Sequence, residues 1–259
     1  MQLKSTRETN RVRLALLAGL VLFAAACGKR DSTWQAVQAR GTLRVGMDAS
    51  YPPFENVAPD GSLAGFDVDM AEEIGRRLNL EIEYVNIAYD GLYDALVVGR
   101  ADALISALRV REDQLGRVVY SVPYFNAGDM LVAPLDSGIG GMEDLDGGVV
   151  AVEYGAEGDV QARAWQRRLS SLEVMRLPDP GQALAAVEAG EADAALIDGI
   201  SARMSADEHP SLAPVDTVTE DLYAVAVRKD STELADQISA VISEMLDDGT
   251  IAELEEKWF

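Results

Sequence analysis

Few side chains in this 259-residue sequence are of the types that carry nucleophilic, metal or proton-relay chemistry. It has one cysteine, Cys27, and one histidine, His209. A nucleophilic relay needs a base beside its nucleophile, and a zinc site needs several Cys, His or acidic ligands together. One cysteine also excludes a disulfide framework. His209 precedes Pro210 in a polar loop, where a solvated surface histidine is the simpler reading. Gly138-Ile139-Gly140-Gly141 is a glycine-rich turn, but no Lys-Ser or Lys-Thr follows it, so it is a poor phosphate cradle. What the chain has in quantity is carboxylate: 44 acidic residues against 22 basic ones, a formal net charge of −22. That balance argues against nucleic acid, whose phosphates are neutralised by Lys and Arg. It is either a solvated surface that favours solubility or a field that draws cations. Only the placement of individual carboxylates decides between the two.

Residues 1–26 have the layout of a secretory signal peptide. Lys4, Arg7, Arg11 and Arg13 make a basic start, and an unbroken run of apolar and small residues, 14–26, follows. That run is short for a bilayer span and ends in small residues. Ala24-Ala25-Ala26-Cys27-Gly28 resembles the lipobox of bacterial lipoproteins, with Ala24 where that motif usually has Leu. The resemblance implies cleavage before Cys27 and lipidation of Cys27. A plain signal peptide with an incidental cysteine is the competing reading. On the lipoprotein reading, 27–41 is a lipid-anchored linker. The exported domain is then held without a transmembrane helix, at the outer face of the cytoplasmic membrane or in the periplasm. Cleavage removes four basic residues and Glu8, leaving a net charge near −25.

The elements that must position any site are legible in the periodicity. An amphipathic stretch at 31–40 sets Trp34 and Val37 on one face. Strands are expected at 43–46, 81–85, 103–105 and 130–133, and helices at 67–78, 91–98 and 112–117, with a turn-rich stretch at 48–65. The first long helix carries acids near its N-terminus, where the helix dipole favours them. After the turn at 136–141 the alternation restarts. Strands are expected at 148–152, 174–177, 194–197 and 223–228, and helices at 157–169, 181–189, 199–205, 233–246 and 251–258. Strands alternating with helices predict parallel sheets covered on both faces, and two such runs predict two α/β lobes. Gly99-Arg100-Ala101-Asp102-Ala103-Leu104-Ile105 echoes Gly190-Glu191-Ala192-Asp193-Ala194-Ala195-Leu196-Ile197, each a helix end, a glycine and a buried strand.

Several segments share one resemblance. They are Gly65-Phe66-Asp67-Val68-Asp69-Met70 with Ile74-Gly75 and Leu78, then Gly46-Met47-Asp48 and Tyr51-Pro52-Pro53-Phe54. To these add 101–106, Tyr120-Ser121-Val122-Pro123-Tyr124-Phe125 and the stretch from Gly249-Thr250 to Trp258-Phe259. Together they resemble the bacterial extracellular solute-binding proteins of the polar amino-acid type, family 3, over 43–259. The resemblance implies a periplasmic-binding-protein-like type II α/β fold, two lobes joined by two crossover segments with a ligand cleft between them. Carried onto this chain, lobe 1 is 42–129 plus 223–259, lobe 2 is 134–221, and the crossovers are 130–133 and 222–225. It further implies the substrate-binding component of an ABC importer. That component is a non-enzymatic monomer without cofactor or metal, which closes on an amino acid or related amine and meets the importer's permease membrane subunits. An enzyme of the dehydratase type on the same fold, with Glu153 or Glu157 as general acid for a small carboxylic acid, is one alternative. A sensory ligand-binding module is another.

In that family a ligand lies between aromatic rings, its ammonium on a second-lobe carboxylate and its carboxylate on a first-lobe arginine. Asp198 matches the ammonium-binding position and can equally be a helix N-cap before Gly199 and Ile200. Tyr51 and Tyr89 match the aromatic walls, or are packing aromatics. Asp48 matches a position that holds a cationic side chain, or caps its turn. The family usually has Ser-x-Thr-x-x-x-Arg after the strand that ends near Ser106; this chain reads Ser106-Ala107-Leu108-Arg109-Val110-Arg111-Glu112-Asp113-Gln114, with Gln114 at the arginine position. Arg109, five residues earlier, is the candidate replacement, while Arg109 and Arg111 also read as surface residues. Glu157 stands where the family has a hydroxyl beside the ligand carboxylate. A carboxylate there repels an anion and attracts a cation. With Asp48 and Asp198 it tilts the expected ligand toward a cationic solute.

Overall fold

The computed structural model describes residues 32–259. The expected signal peptide, Cys27 and residues 28–31 of the expected linker lie outside the described residues. The first element, α1 (Thr33–Arg40), buries the expected Trp34 and Val37. It leads into β1 (Thr42–Met47), where Leu43, Val45 and Met47 are buried. The stretch expected as turns holds a small antiparallel sheet of β2 (Ser50–Tyr51), β3 (Glu55–Val57) and β4 (Leu63–Ala64). Pieces this short and polar have no readable period. The helix α2 (Phe66–Leu78) follows Gly65, whose φ is 144° and where an added Cβ would stand 2.1 Å from the Phe54 carbonyl oxygen. Only glycine lets loop and helix meet this closely, which places Tyr51 and Glu55 next to the start of α2.

The first sheet has the order β5 (Glu81–Asn86), β1, β6 (Ala103–Leu104), β15 (Ala226–Arg228), β7 (Val118–Tyr120), with α3 (Leu92–Val97) between β5 and β6. The second has the order β11 (Glu173–Leu177), β10 (Val149–Glu153), β12 (Ala194–Ile197), β9 (Met130–Pro134), β13 (Leu212–Thr217). Its helices are α4 (Glu157–Trp165), α5 (Pro180–Glu188) and α6 (Gly199–Met204), and α7 (Thr232–Asp247) and α8 (Thr250–Trp258) close the chain. Each sheet starts with three parallel strands in the spatial order second, first, third. An antiparallel strand from elsewhere in the chain joins next to the third.

The internal echo in the sequence is structural. Gly99 and Gly190 both have positive φ, 77° and 72°. Asp102 accepts from the Arg44 N–H at 3.0 Å, and Asp193 accepts from the Val149 N–H at 2.7 Å. Each aspartate thus ties the third strand's lead-in to the first strand, and each third strand ends at a site loop.

Four details differ from the sequence reading. Residues 130–133, expected as a crossover, are part of β9, an antiparallel strand inside the second sheet. The chain passes between the sheets earlier, at 126–129, and returns at 218–222. There Asp129 N–H donates to Thr219 Oγ1 at 2.7 Å and Val218 N–H donates to the Asp129 carbonyl at 2.8 Å. At the same place β8 (Phe125–Asn126) pairs with β14 (Leu222–Tyr223), so the expected strand 223–228 is broken into β14 and β15. The edge strand β13 was not readable, because Pro214 and a bulge between Pro214 and Asp216 interrupt it. The helix expected at 112–117 is a single turn, Glu112–Gln114.

Candidate functional site

The first half of the site is built on the loop after β6. Ala107 there has φ 42°, unusual for a residue with a Cβ. Its N–H donates to Asp67 Oδ2 at 2.5 Å, and the Tyr124 hydroxyl donates to the same oxygen at 3.2 Å. Asp67 has no exposed surface. It is therefore a tether for the site loop as well as an acid suited to the helix start. Ser106 donates its hydroxyl to Glu55 Oε1 at 2.6 Å and accepts from the Asp48 N–H at 3.0 Å. Asp48 is a turn cap: Oδ1 accepts from Ser50 Oγ at 2.6 Å and Oδ2 from the Tyr89 N–H at 2.8 Å. Tyr51 stacks on Phe54 at 5.6 Å between ring centroids. Phe54 packs in turn against Phe66, Phe125, Tyr223 and Phe259 at 5.0–5.9 Å. The half-exposed Tyr51 and Tyr89 are the walls of a cavity of about 310 Å³, which Asp48, Glu55, Ser106, Arg109 and Tyr223 also line.

A second cleft of about 450 Å³ joins the two lobes. It is lined by Arg109, Asp129, Glu157, Gln161, Asp198, Thr219, Glu220 and Asp221, among others. Asp198 is the N-cap of α6, with Oδ1 accepting from the Ile200 and Ser201 N–H groups at 3.1 and 2.9 Å. Its cap role and its place on the cleft therefore coexist. Glu157 is the exposed first residue of α4 and accepts from Gln161 Nε2 at 2.7 Å. Asp129 is 5% exposed. Burial pushes its carboxyl up to about 6, the Thr219 hydrogen bond opposes this, and the charges of Glu157, Asp198 and Asp221 add to it. Burial also raises Asp221, while Arg109 pulls it down.

Arg109 is the residue common to both cavities. Its side chain is 62% exposed and pairs with Asp221 Oδ2 at 2.6 Å. Gln114, at the expected arginine position, bonds Asp113 and lines neither of the two cavities. The structure thus groups Asp48, Tyr51, Tyr89, Ser106 and Arg109 around one cavity, and Arg109, Glu157 and Asp198 around the other. Asp129, Asp221, Glu55 and Tyr223 join them without a sequence signal of their own. Two of these, Asp129 and Asp221, lie in the crossing segments, and a buried carboxylate such as Glu55 looks like any other acid in the string. Among the described residues, no group of three or more His, Cys, Asp or Glu is arranged to hold a metal ion. His209 lies beside Glu188 and lines neither cavity.

The arrangement suits a small molecule with positive charge: flat aromatic walls on one side and carboxylates on the other. Comparison with known proteins identifies the family. The family model of bacterial extracellular solute-binding proteins, family 3, matches residues 43–259. The chain is 30% identical over 253 residues to the arginine-binding extracellular protein ArtP of Bacillus subtilis (strain 168), spanning 95% of this chain and 96% of that one. Among solved structures, the L-cystine solute receptor of Neisseria gonorrhoeae in its unliganded open conformation matches with TM-score 0.76 and 25% identity, over 87% of this chain and 95% of that one. An ancestral cyclohexadienyl dehydratase matches with TM-score 0.75 and 26% identity, over 86% and 94%.

Proposed function

The chain belongs to the bacterial extracellular solute-binding proteins, family 3, and on that premise we propose that it captures a cationic amino acid or related amine between its lobes for an ABC permease. The observation that carries the reading is the cleft between the lobes, where Asp129, Glu157, Asp198, Glu220 and Asp221 surround the single cation Arg109. Partly desolvated carboxylates crowded together gain from a positive charge set among them. The solute's cationic group rests on Asp198 and Asp129. Its flat portion lies between Tyr51 and Tyr89, and any carboxylate it carries meets Arg109 in competition with Asp221. Hinge closure at 126–129 and 218–222 then brings the carboxylate-lined half onto the aromatic half. The arginine-binding relative supports the same ligand class. Lipidation at Cys27 would keep the receptor beside its permease.

A second reading, a dehydratase acting on a small carboxylic acid, has in its favour the match to an ancestral enzyme of that name and the raised Asp129, a group suited to donating a proton. Against it stands the charge: an anionic substrate would meet five carboxylates, and the one arginine is already paired. A thermal-shift screen of cationic, neutral and anionic amino acids, with amines and small carboxylates, tests the proposal. Binding to the folded state raises stability by about 2.7 kcal/mol at a hundredfold excess over Kd. Cationic solutes should give the shift. A shift confined to anionic carboxylates, with turnover of the compound, would favour the enzyme instead.

A further inference from the structure

The short helix α6 makes contacts of two kinds. Asp198 caps it on the cleft, while Arg203, near its other end, reaches out of the second lobe. The Arg203 guanidinium lies over the Phe125 ring, 4.6 Å from the ring centroid. Its Nη1 donates to the Asn126 carbonyl at 3.2 Å and, within the helix, to the Gly199 carbonyl at 2.8 Å. Its Nε stands 3.6 Å from Glu255 Oε2 on α8, which packs against α2 and α7 of the first lobe. The neighbours of Arg203 make the same bridge. Ala202 is buried in the core of the second lobe, whereas Ile200 packs against the core of the first. An added Cβ at Gly199 would stand 2.9 Å from Arg203 Nη1 and 2.6 Å from the Gly128 carbonyl oxygen. Glycine there lets the guanidinium fold back and the crossing segment come close.

These contacts sit at the pivot but off the cleft. Asn126 Oδ1 accepts from the Gly128 and Asp221 N–H groups, both at 2.9 Å, so Arg203 bonds the residue that ties the two crossings together. The crossings themselves line the cleft at 127–129 and 219–221, yet none of Arg203, Phe125, Asn126 and Glu255 lines either cavity. The cleft is open: Tyr51 and Tyr89, the walls that a captured solute covers, are 46% and 43% exposed. The Arg203 bridge is therefore a feature of the open state.

We propose that Arg203 sets the affinity of the receptor from outside the binding site: its contacts with Phe125, Asn126 and Glu255 hold the lobes open, and closure on a solute breaks them. This rests on the reading of the protein as a receptor that closes on its solute. Rotation of the second lobe about 126–129 and 218–222 brings the cleft walls together and draws apart groups that meet off the cleft. Apparent affinity is the affinity of the closed form reduced by the small fraction of protein that reaches it. Removing the bridge enlarges that fraction. Arg203 does not touch the solute, so every solute gains by the same factor. The open form loses stabilising contacts in the same step, so affinity and stability move in opposite directions.

Calorimetric titration of Arg203→Met with L-arginine and L-citrulline tests this. The expected result is affinity raised about fivefold for both, with the ratio between them unchanged. The Tm of the solute-free variant should fall by about 2–4 °C. Glu255→Gln leaves the Phe125 and Asn126 contacts in place and should show the same signature at about twofold. Paramagnetic relaxation, from a spin label on one lobe to amides of the other, detects a minor closed population without any solute. That population should rise about fivefold in Arg203→Met. Affinity that stays level or falls, with the closed population unchanged, would overturn the inference and leave the receptor reading intact. A gain for one solute alone would place Arg203 in solute binding and overturn it as well. Failure of every cationic solute to bind would overturn the receptor reading, and the relaxation measurement on the solute-free variant would still decide whether Arg203 holds the lobes open.

Discussion

The two halves of the cleft differ in how completely their polar groups are satisfied before any solute arrives. In the first half, the Asp48, Ser106 and Ala107 groups that border the cavity already bond one another or Asp67 and Glu55, and Tyr51 is braced by an aromatic cluster. In the second half, Glu157 is exposed, Asp198 has no hydrogen-bond partner for Oδ2 among the described residues, and Asp129 is held against like charges. Apart from the buried, unpartnered Glu55 Oε2 and Asp67 Oδ1, the first half is thus pre-set and supplies shape. The second is electrostatically unfinished and supplies the attraction. A receptor that closes by a hinge gains from this division, because the unsatisfied half pulls on the solute only once the two halves approach.

The largest expected effect breaks the second half alone. Asp198→Asn keeps the α6 cap, since Asn caps as well as Asp, but removes the charge. Calorimetry should then show affinity for a cationic solute lowered by about 30-fold, equivalent to about 2 kcal/mol for a charged hydrogen bond. Asp198→Ala should lose the same affinity and additionally about 1 kcal/mol of stability, read as a lower Tm. A loss of stability in Asp198→Asn with unchanged affinity would make Asp198 a cap and nothing more.

The next effect is one of pH. Burial holds a proton on Asp129 up to about pH 6. The folded state therefore gains stability from that proton below the ordinary aspartate range and loses the gain as pH rises toward 6. A bound cation prefers the ionised form, so affinity should fall by up to about tenfold between pH 7 and 5. Asp129→Asn should flatten that slope.

Asp221→Asn should be milder. It frees Arg109, and because the pair is half exposed, its loss is worth at most about 1 kcal/mol. Affinity for a cationic solute should drop about fivefold or less, and that for a solute with a free carboxylate should rise relative to an amine without one. Equal changes for both solute types would show that Arg109 does not meet a carboxylate. The smallest effect belongs to the pre-set half. Tyr89→Leu keeps an apolar wall but removes the ring face, and should weaken cation binding by about threefold, in keeping with about 0.5–1 kcal/mol for an exposed cation–π contact. A larger loss from Tyr89→Leu than from Asp198→Asn would reverse the comparison between the halves.

Much of the fold was legible because burial imposes period. The α2 stripe of Val68, Met70, Ala71 and Ile74 is buried as the spacing requires. The repeated Gly-x-Ala-Asp-Ala segments mark the third strand of each sheet. What stayed hidden was decided by pairing at a distance. Nothing in 130–133 tells a strand inside a sheet from a strand between lobes, and Pro214 hides β13. The site residues Asp48, Tyr51, Tyr89, Ser106, Arg109, Glu157 and Asp198 came from resemblance to a family, and the cavities assemble them into two groups. Asp129 and Asp221 could not be read in advance, because their importance lies in facing other acids across a crossing of the chain. The spacing marks Asp67 as a dipole-favoured acid, and its burial against Ala107 gives it a second task that no linear spacing reveals.

The central claim is that charge in the second half selects the solute. Its most direct test is calorimetric titration of the purified protein with L-arginine, L-citrulline and L-glutamate, the first two nearly identical in shape and differing in charge. The expected result is binding of arginine, at least about tenfold weaker binding of citrulline, and no binding of glutamate. Citrulline or glutamate binding as tightly as arginine would contradict the account.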